Sequence, residues 1–201
     1  MLQHDREELN DSANLQRQLE TIRAVNEQEL PLWLFGGFAE DAWLYGEPAR
    51  EHNDLDYLGY RDDMETIYEG FGELGFDHVE TEEVEEGRPA KYVFRAGPVA
   101  VDVAFMDKHP EGDNYIDVRN FDGTAYRVEI PDAMLAYPPQ KLGETEVRTT
   151  HPALGVLARR FFKYSNRLPW RDKDTTYQQK ILENFPEADV QPEFTQIKAQ
   201  Q

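Results

Sequence analysis

A chain of 201 residues with 39% hydrophobic and 12% aromatic side chains can bury a real core, which suits one domain with at most a small helical appendage. Forty Asp and Glu against 21 Lys and Arg give a net charge of -19, which argues against broad binding to nucleic acid or anionic lipid but leaves room for a local basic pocket. No run approaches the roughly 18 apolar residues of a membrane span, the charged N-terminus lacks a signal peptide's apolar core, and the absence of cysteine excludes disulfides and thiolate metal sites. A cytoplasmic location is therefore expected. Only seven of the 21 basic residues are lysine. An acidic, lysine-poor surface suits a salt-adapted protein, and plain solubility through excess negative charge is the other reading.

The first predicted element is a helix over Leu9 to Gln28, with Leu15, Leu19, Ile22 and Val25 at helical spacing. Pro31 follows it, and "LWLFGG" is a short apolar strand running into Gly36 and Gly37. Helical spacing resumes through Phe38, Ala42 and Tyr45 until Gly46 and Pro48. "DLDYLGY" is a second strand, with Leu55 and Tyr57 on the face opposite Asp54 and Asp56. Asp62 can cap a helix that ends at Gly75. "HVETEEVEEGRPA" reads as a strand followed by a solvated turn, and "KYVFR" with "VAVDVAF" as a hairpin around Ala96, Gly97 and Pro98. "NYIDVRNFDGTAYRVEI" is either a strand pair around an Asp-Gly turn or one strand with a loop. Helices are expected from His151 to Tyr164 and from Asp174 to Phe185, and a polar, frayed tail from Pro186. The pattern predicts an α/β or α+β fold, with a mixed sheet near the middle and helices at both ends.

Three carboxylates stand out. Asp54 and Asp56, at i and i+2 on a strand, project oxygen ligands from one face. Asp102 lies in a strand of otherwise small or apolar residues, where a carboxylate is costly unless paired, hydrogen-bonded or bound to a cation. Such an oxygen-rich set suits Mg²⁺ together with substrate phosphates, and three carboxylates on neighbouring strands can hold two ions for in-line phosphoryl displacement. Gly36 and Gly37 turn a strand into a helix, whose free N–H groups and dipole favour a phosphate. No Gly-Lys-Ser/Thr follows and the third glycine of a dinucleotide fingerprint is missing, so neither of those phosphate loops is present.

"GGFAEDAWLYG", "REHNDLDYLGY" and "VAVDVAF" together resemble the nucleotidyltransferase fold of the DNA polymerase β superfamily, and within it the small antibiotic nucleotidyltransferases that adenylylate aminoglycosides or lincosamides. The matching positions are Gly36, Gly37, Ala39, Asp41, Arg50, His52, Asp54, Asp56 and Asp102, with "RDKD" at Arg171 to Asp174 echoing a C-terminal motif. Tyr177 stands where that motif usually ends in Asp, and Arg159 and Arg160, with Lys163 one turn on, stand near where the preceding helix often carries a lysine.

The resemblance implies a nucleotidyltransferase fold with a mixed central sheet flanked by helices, a catalytic domain over 1–140 and a helical segment over 141–201 packed on it. It further implies ATP or another NTP as co-substrate, two Mg²⁺ ions on Asp54, Asp56 and Asp102, phosphates at Gly36 and Gly37, and a small polar acceptor of aminoglycoside or lincosamide type. Asp102 is also the candidate to take the acceptor hydroxyl's proton. Arg50 is expected either to neutralise triphosphate charge or to pair with Asp41, and Arg171 and Lys173 either to hold phosphates or to form a solvated helix start. Asp41 and His52 read as structural. The chain is expected to be a monomer or a homodimer, with no membrane partner and with nucleic acid disfavoured by the net charge. The competing readings are a nucleotidyltransferase toxin or antitoxin acting on tRNA or a partner protein, and a non-catalytic partner-binding module.

Overall fold

The computed structural model describes residues 4–109, 112–120, 122–165 and 171–197, with the side chains of 4–13 left aside. Helix α1 (His4–Glu27) starts a turn earlier than its apolar spacing suggests. Its Ile22 and Val25 are buried, and Leu15 and Leu19 pack against the core. Strand β1 (Leu32–Phe35) leads directly into α2 (Gly36–Leu44), which buries Phe38, Ala39, Ala42 and Trp43. Strand β2 (Leu55–Tyr60), helix α3 (Met64–Glu73), β3 (Asp77–Glu85), β4 (Arg88–Ala96) and β5 (Val99–Lys108) follow, and then β6 (Asn114–Arg119) and β7 (Ala125–Ile130).

An eight-stranded mixed sheet forms the middle of the molecule. β2 is antiparallel to β1 and parallel to β5. β4 joins the first part of β5 and carries β3 on its far side, while the end of β5 hands over to β6. Across the site the strand order is thus β1, β2, β5, β4, β3. This is the α+β architecture the sequence predicts. β2 and β5 alternate buried apolar residues (Leu55, Tyr57, Val101, Val103, Phe105) with Asp56 and Asp102, so the packed face holds the strands flat while the other face carries carboxylates. Each such side chain, fully buried, stabilises by roughly 1.5–3 kcal/mol.

Three stretches depart from the sequence-based expectation. β4 begins at Arg88, because the turn is confined to Glu86 and Gly87, so "RPA" belongs to a strand rather than to a solvated turn. The tail from Pro186 is not frayed throughout. A 3₁₀ turn over Pro186–Ala188 buries Ala188, and strand β10 (Phe194–Ile197) pairs with β7. Phe194 there packs among Tyr126, Phe161 and Tyr164, an aromatic anchor that composition alone conceals. A two-stranded ribbon, β8 (Gln140–Leu142) and β9 (Thr145–Val147), was also not foreseen. Helices α4 (Pro152–Ser165) and α5 (Asp172–Asn184) lie close to their expected spans. The second half of "FFKYSNRLPW", from residue 166 on, lies outside the described residues.

Segment 148–150 brings α4 to the site: the Leu34 N–H donates to the Arg148 carbonyl at 2.8 Å and the Thr150 N–H to Leu34 at 3.3 Å. Trp43 Nε1–H donates to Thr149 Oγ1 at 3.1 Å, and a Cβ at Gly155 of α4 would sit 3.1 Å from the Trp43 ring. Helix α5 then contacts both α2 and α4. Among the described residues no helix is long and apolar enough to cross a membrane.

Candidate active site

Asp56 and Asp102 face each other directly across the parallel β2–β5 pair, and Asp54 precedes Asp56 by two residues. One carboxylate oxygen from each of the three lies within 4.8 Å of the others. Asp54 is at the exposed mouth and the other two are half-buried. Burial first, then the charges of Asp54 and Asp102, push the Asp56 carboxyl up to about 8. Burial and Asp102 likewise raise Asp54. Three carboxylates so close repel strongly, and the arrangement is one that a hard cation with oxygen ligands would relieve. The donor set therefore fits a divalent ion.

At the neighbouring end of β1, Phe35 is opposite Asp56 in the register. Gly36 has φ +62, and a Cβ on it would fall 2.1 Å from Asp56 Oδ2. Glycine is needed here for both the left-handed backbone and the close approach of the carboxylate. A Cβ at Gly37 would meet His52 Nδ1 at 2.3 Å and Arg50 Nη2 at 2.8 Å. Helix α2 starts at this turn with no side chain capping it, so its first N–H groups remain available to an anion next to the triad.

Asp41 and His52 brace the loop before β2. Asp41 Oδ2 accepts the Ala49 N–H at 2.9 Å and sits 2.8 Å from His52 Nε2, with both side chains buried. Gln18 of α1 donates to the His52 carbonyl at 2.9 Å, and the His52 ring lies 4.0 Å from that of Phe38. Asp41 thus has His52 and a backbone amide as its partners, in place of Arg50 or Trp43.

Arg50 pairs with Glu40, not Asp41. Its Nη2 lies 3.8 Å from Glu40 Oε2, and its guanidinium covers the Tyr177 ring at 4.9 Å. Glu40 is 3% exposed and also pairs closely with Arg159 of α4. Burial raises its carboxyl, although the Arg159 and Arg50 charges oppose the rise. Arg171 spends its guanidinium on its own helix, with Nε 2.8 Å and Nη2 2.9 Å from the Asp174 carboxylate. Lys173 has no ion pair among the described residues. Burial lowers its ammonium, as do Arg171 and Arg50, while Asp174 and Asp54 pull the other way. Arg50, Arg171 and Lys173 therefore gather beside the triad, but only Lys173 has its charge unspent among the described residues. Arg160 turns elsewhere, to Asp189.

Two residues were missed by sequence reasoning. Glu40 sits at position i+4 from Gly36, on a helix face that is otherwise apolar, and that mismatch was the available signal. Lys91 of β4 donates to Asp102 Oδ2 at 2.8 Å. It lies eleven residues before Asp102 in the chain, and the hairpin expected around Gly97, whose register sets Lys91 opposite Ala104 and two residues from Asp102's partner Val93, was the available signal.

A turn-to-helix cradle, a strand pair carrying three converging aspartates and a cluster of cations beside them define a nucleotidyltransferase. A family model of aminoglycoside-2''-adenylyltransferases matches residues 18–151, and the chain belongs to that family. Solved structures with similar folds include the antibiotic-resistance factor ANT(2'')-Ia in solution (19% identity, TM-score 0.61, covering 89% of this chain and 88% of that one). A crystal structure of ANT(2'')-Ia with adenylyl-2''-tobramycin gives a TM-score of 0.64 at 19% identity, covering 87% and 93%. The lincosamide antibiotic adenylyltransferase LnuA with lincomycin bound gives 0.54 at 15% identity, covering 84% and 94%. No curated protein sequence matches the chain.

Proposed function

We propose that this enzyme transfers a nucleoside monophosphate, from ATP or another NTP, to a hydroxyl of a polycationic aminoglycoside-type acceptor in the cytoplasm. The observation that carries the reading is the convergence of Asp54, Asp56 and Asp102 within 4.8 Å beside an uncapped helix start. Residues 1–140 act as the catalytic domain, and 141–201 as the segment whose helices lend Lys173 and Arg159 to it and whose strand β10 joins its sheet.

In this reading Gly36 and Gly37 receive the triphosphate on the backbone N–H groups of α2. Lys173 and Arg50 offset its charge, while Arg171 tightens the start of α5 and contributes its field. Asp54, Asp56 and Asp102 hold Mg²⁺, two ions in all. When bound, Mg²⁺ neutralises phosphate charge and stabilises the attacking and leaving oxygens of an in-line displacement. The acceptor oxygen forms a bond to the α-phosphorus, the bond from that phosphorus to the bridging oxygen breaks, and pyrophosphate leaves with the electron pair. The acceptor's proton passes to the Asp102 carboxylate. The rate comes from positioning and charge neutralisation.

The acceptor class is supported by charge. Beyond β4 the edge strand β3 exposes Glu80, Glu83 and Glu85, a surface that attracts a polyamine and repels a free nucleotide. Calorimetry with a non-hydrolysable ATP analogue, with and without Mg²⁺, on wild type and Asp54→Asn/Asp56→Asn is the test. Binding that requires both the ion and the two aspartates supports the reading. Equal binding by the variant refutes it.

A further inference from the structure

Lys91 is placed in a way that the proposed reaction does not use. Its strand runs between β5, with Asp102, and the edge strand β3, with Glu82. The ammonium has two carboxylates in reach, Asp102 Oδ2 at 2.8 Å and Glu82 Oε2 at 3.8 Å. It rests on the one that belongs to the triad, and its field extends to Asp54 and Asp56. A divalent ion on the same carboxylates would put two further positive charges against Nζ. The lysine stem has four rotatable bonds and the second carboxylate lies on its outer side, so a short swing relieves that repulsion without moving the backbone.

Resting on the reading of Asp54, Asp56 and Asp102 as a divalent-cation site, we propose that Lys91 is a resident counter-cation with two stations. It holds Asp102 while the site is free of metal and withdraws to Glu82 as the ion is loaded. Lys91 thereby tunes metal affinity downward and keeps the triad assembled between turnovers, and Glu82 is the positioning residue that makes the withdrawal possible.

The test is Mn²⁺ titration of the full chain by calorimetry, without nucleotide, on wild type, Lys91→Met, Glu82→Gln and the double variant, with melting curves with and without Mn²⁺. Removing a unit charge this close is expected to tighten Mn²⁺ binding by about tenfold or more. Lys91→Met should also melt earlier than wild type when free of metal and gain more from added Mn²⁺. Glu82→Gln is expected to weaken Mn²⁺ binding several-fold when Lys91 is present and, if the two residues act as one device, to change it by less than about twofold in the Lys91→Met background.

Lys91→Met binding no tighter than wild type overturns the counter-cation. An equal loss from Glu82→Gln in both backgrounds overturns the second station, because Glu82 then acts by charge alone. If Lys91→Met does not fold, Lys91→Gln, which keeps a polar partner for Asp102, is put through the same cycle. Asp54→Asn/Asp56→Asn separates the two levels of argument. Mn²⁺ binding that survives it removes the metal site itself, whereas binding that it abolishes, together with an inert Lys91→Met, removes only the role of Lys91.

Discussion

Gly36 offers the sharpest test, because the cost of adding one methyl group there can be worked out against an internal control. Gly36 and Gly46 both have positive φ, +62 and +71, but a Cβ at Gly46 meets nothing within 4 Å while one at Gly36 meets Asp56 Oδ2 at 2.1 Å and Cγ at 2.8 Å. The left-handed backbone alone costs an alanine about 1–2 kcal/mol. For a chain of this size that is roughly 2–8 °C in melting temperature for Gly46→Ala. Gly36→Ala carries the same cost plus an overlap that Asp56 cannot wholly escape by rotating, since its own Cβ is only 3.0 Å away and is held by a strand paired on both sides. Forced displacement of this kind adds about 1–3 kcal/mol, for a total of about 2–5 kcal/mol. The functional difference should be larger than the difference in stability. Moving Asp56 by the ångström needed to clear the methyl misplaces the triad, for which a loss of about 100-fold in turnover is expected. Thermal melts and single-turnover nucleotidyl transfer on the two alanine variants make the comparison. If Gly36→Ala melts like Gly46→Ala and keeps its turnover, the glycine is not there to admit Asp56, and the cradle argument fails.

The remaining predictions concern charge. Asp56 in the folded, metal-free protein titrates at about 8, above its ordinary 3.8, so the native state holds a proton that the unfolded chain has lost between those values. Its contribution is full below about pH 4 and lost as pH rises to about 8. Melts in chelator should show stability falling across that range, and Asp56→Asn should flatten the fall. A wild-type slope unchanged in Asp56→Asn would refute the assignment. Glu40→Leu strands Arg159 beside a buried apolar side chain and should cost about 3 kcal/mol in denaturant unfolding, with much of the loss recovered in Glu40→Leu/Arg159→Met. Additive losses in the pair would contradict that. Lys173→Met should raise KM for the nucleotide by about tenfold while kcat changes less, as expected of a charge that serves binding. A fall in kcat alone would place Lys173 in the chemistry instead.

The site was legible where its parts are local and illegible where they are not. Asp54 and Asp56 share a face because a strand alternates, and the glycine pair needs only the strand before it and the helix after it. Both are facts of a few consecutive residues. Asp102 was legible for a different reason, as a charge that a run of small and apolar residues could not otherwise accommodate. Lys91 carried a weaker signal, the hairpin expected around Gly97, which sets it on the strand beside Asp102. It opens "KYVFR", where a lysine is unremarkable, and it acquires meaning only through the register that sets it one strand from Asp102. Arg50 shows the same limit, since pairing with Asp41 and pairing with Glu40 look alike in the sequence and the rotation of α2 decides between them. The tail was misread because a single aromatic, Phe194, pins a four-residue strand whose middle residues, Thr195 and Gln196, are polar.

Net charge is the property that conceals most about this protein. A total of -19 argues against polyanionic partners in general, yet the order of strands sorts charge across the site. On the β1 side, α2, α4 and α5 bring Arg50, Arg159, Arg171 and Lys173 towards the uncapped helix start. On the far side, past β4, the β3 edge presents glutamates. The triad lies between the two, on β2 and β5. A triphosphate is drawn to one flank and repelled from the other, and a polycation has the reverse preference. On the proposed reading, the two oppositely charged substrates would be directed to opposite sides of the carboxylates where they meet. The surplus of acid that argues against nucleic-acid binding over the surface as a whole is, on that reading, half of an arrangement for recognising both reactants.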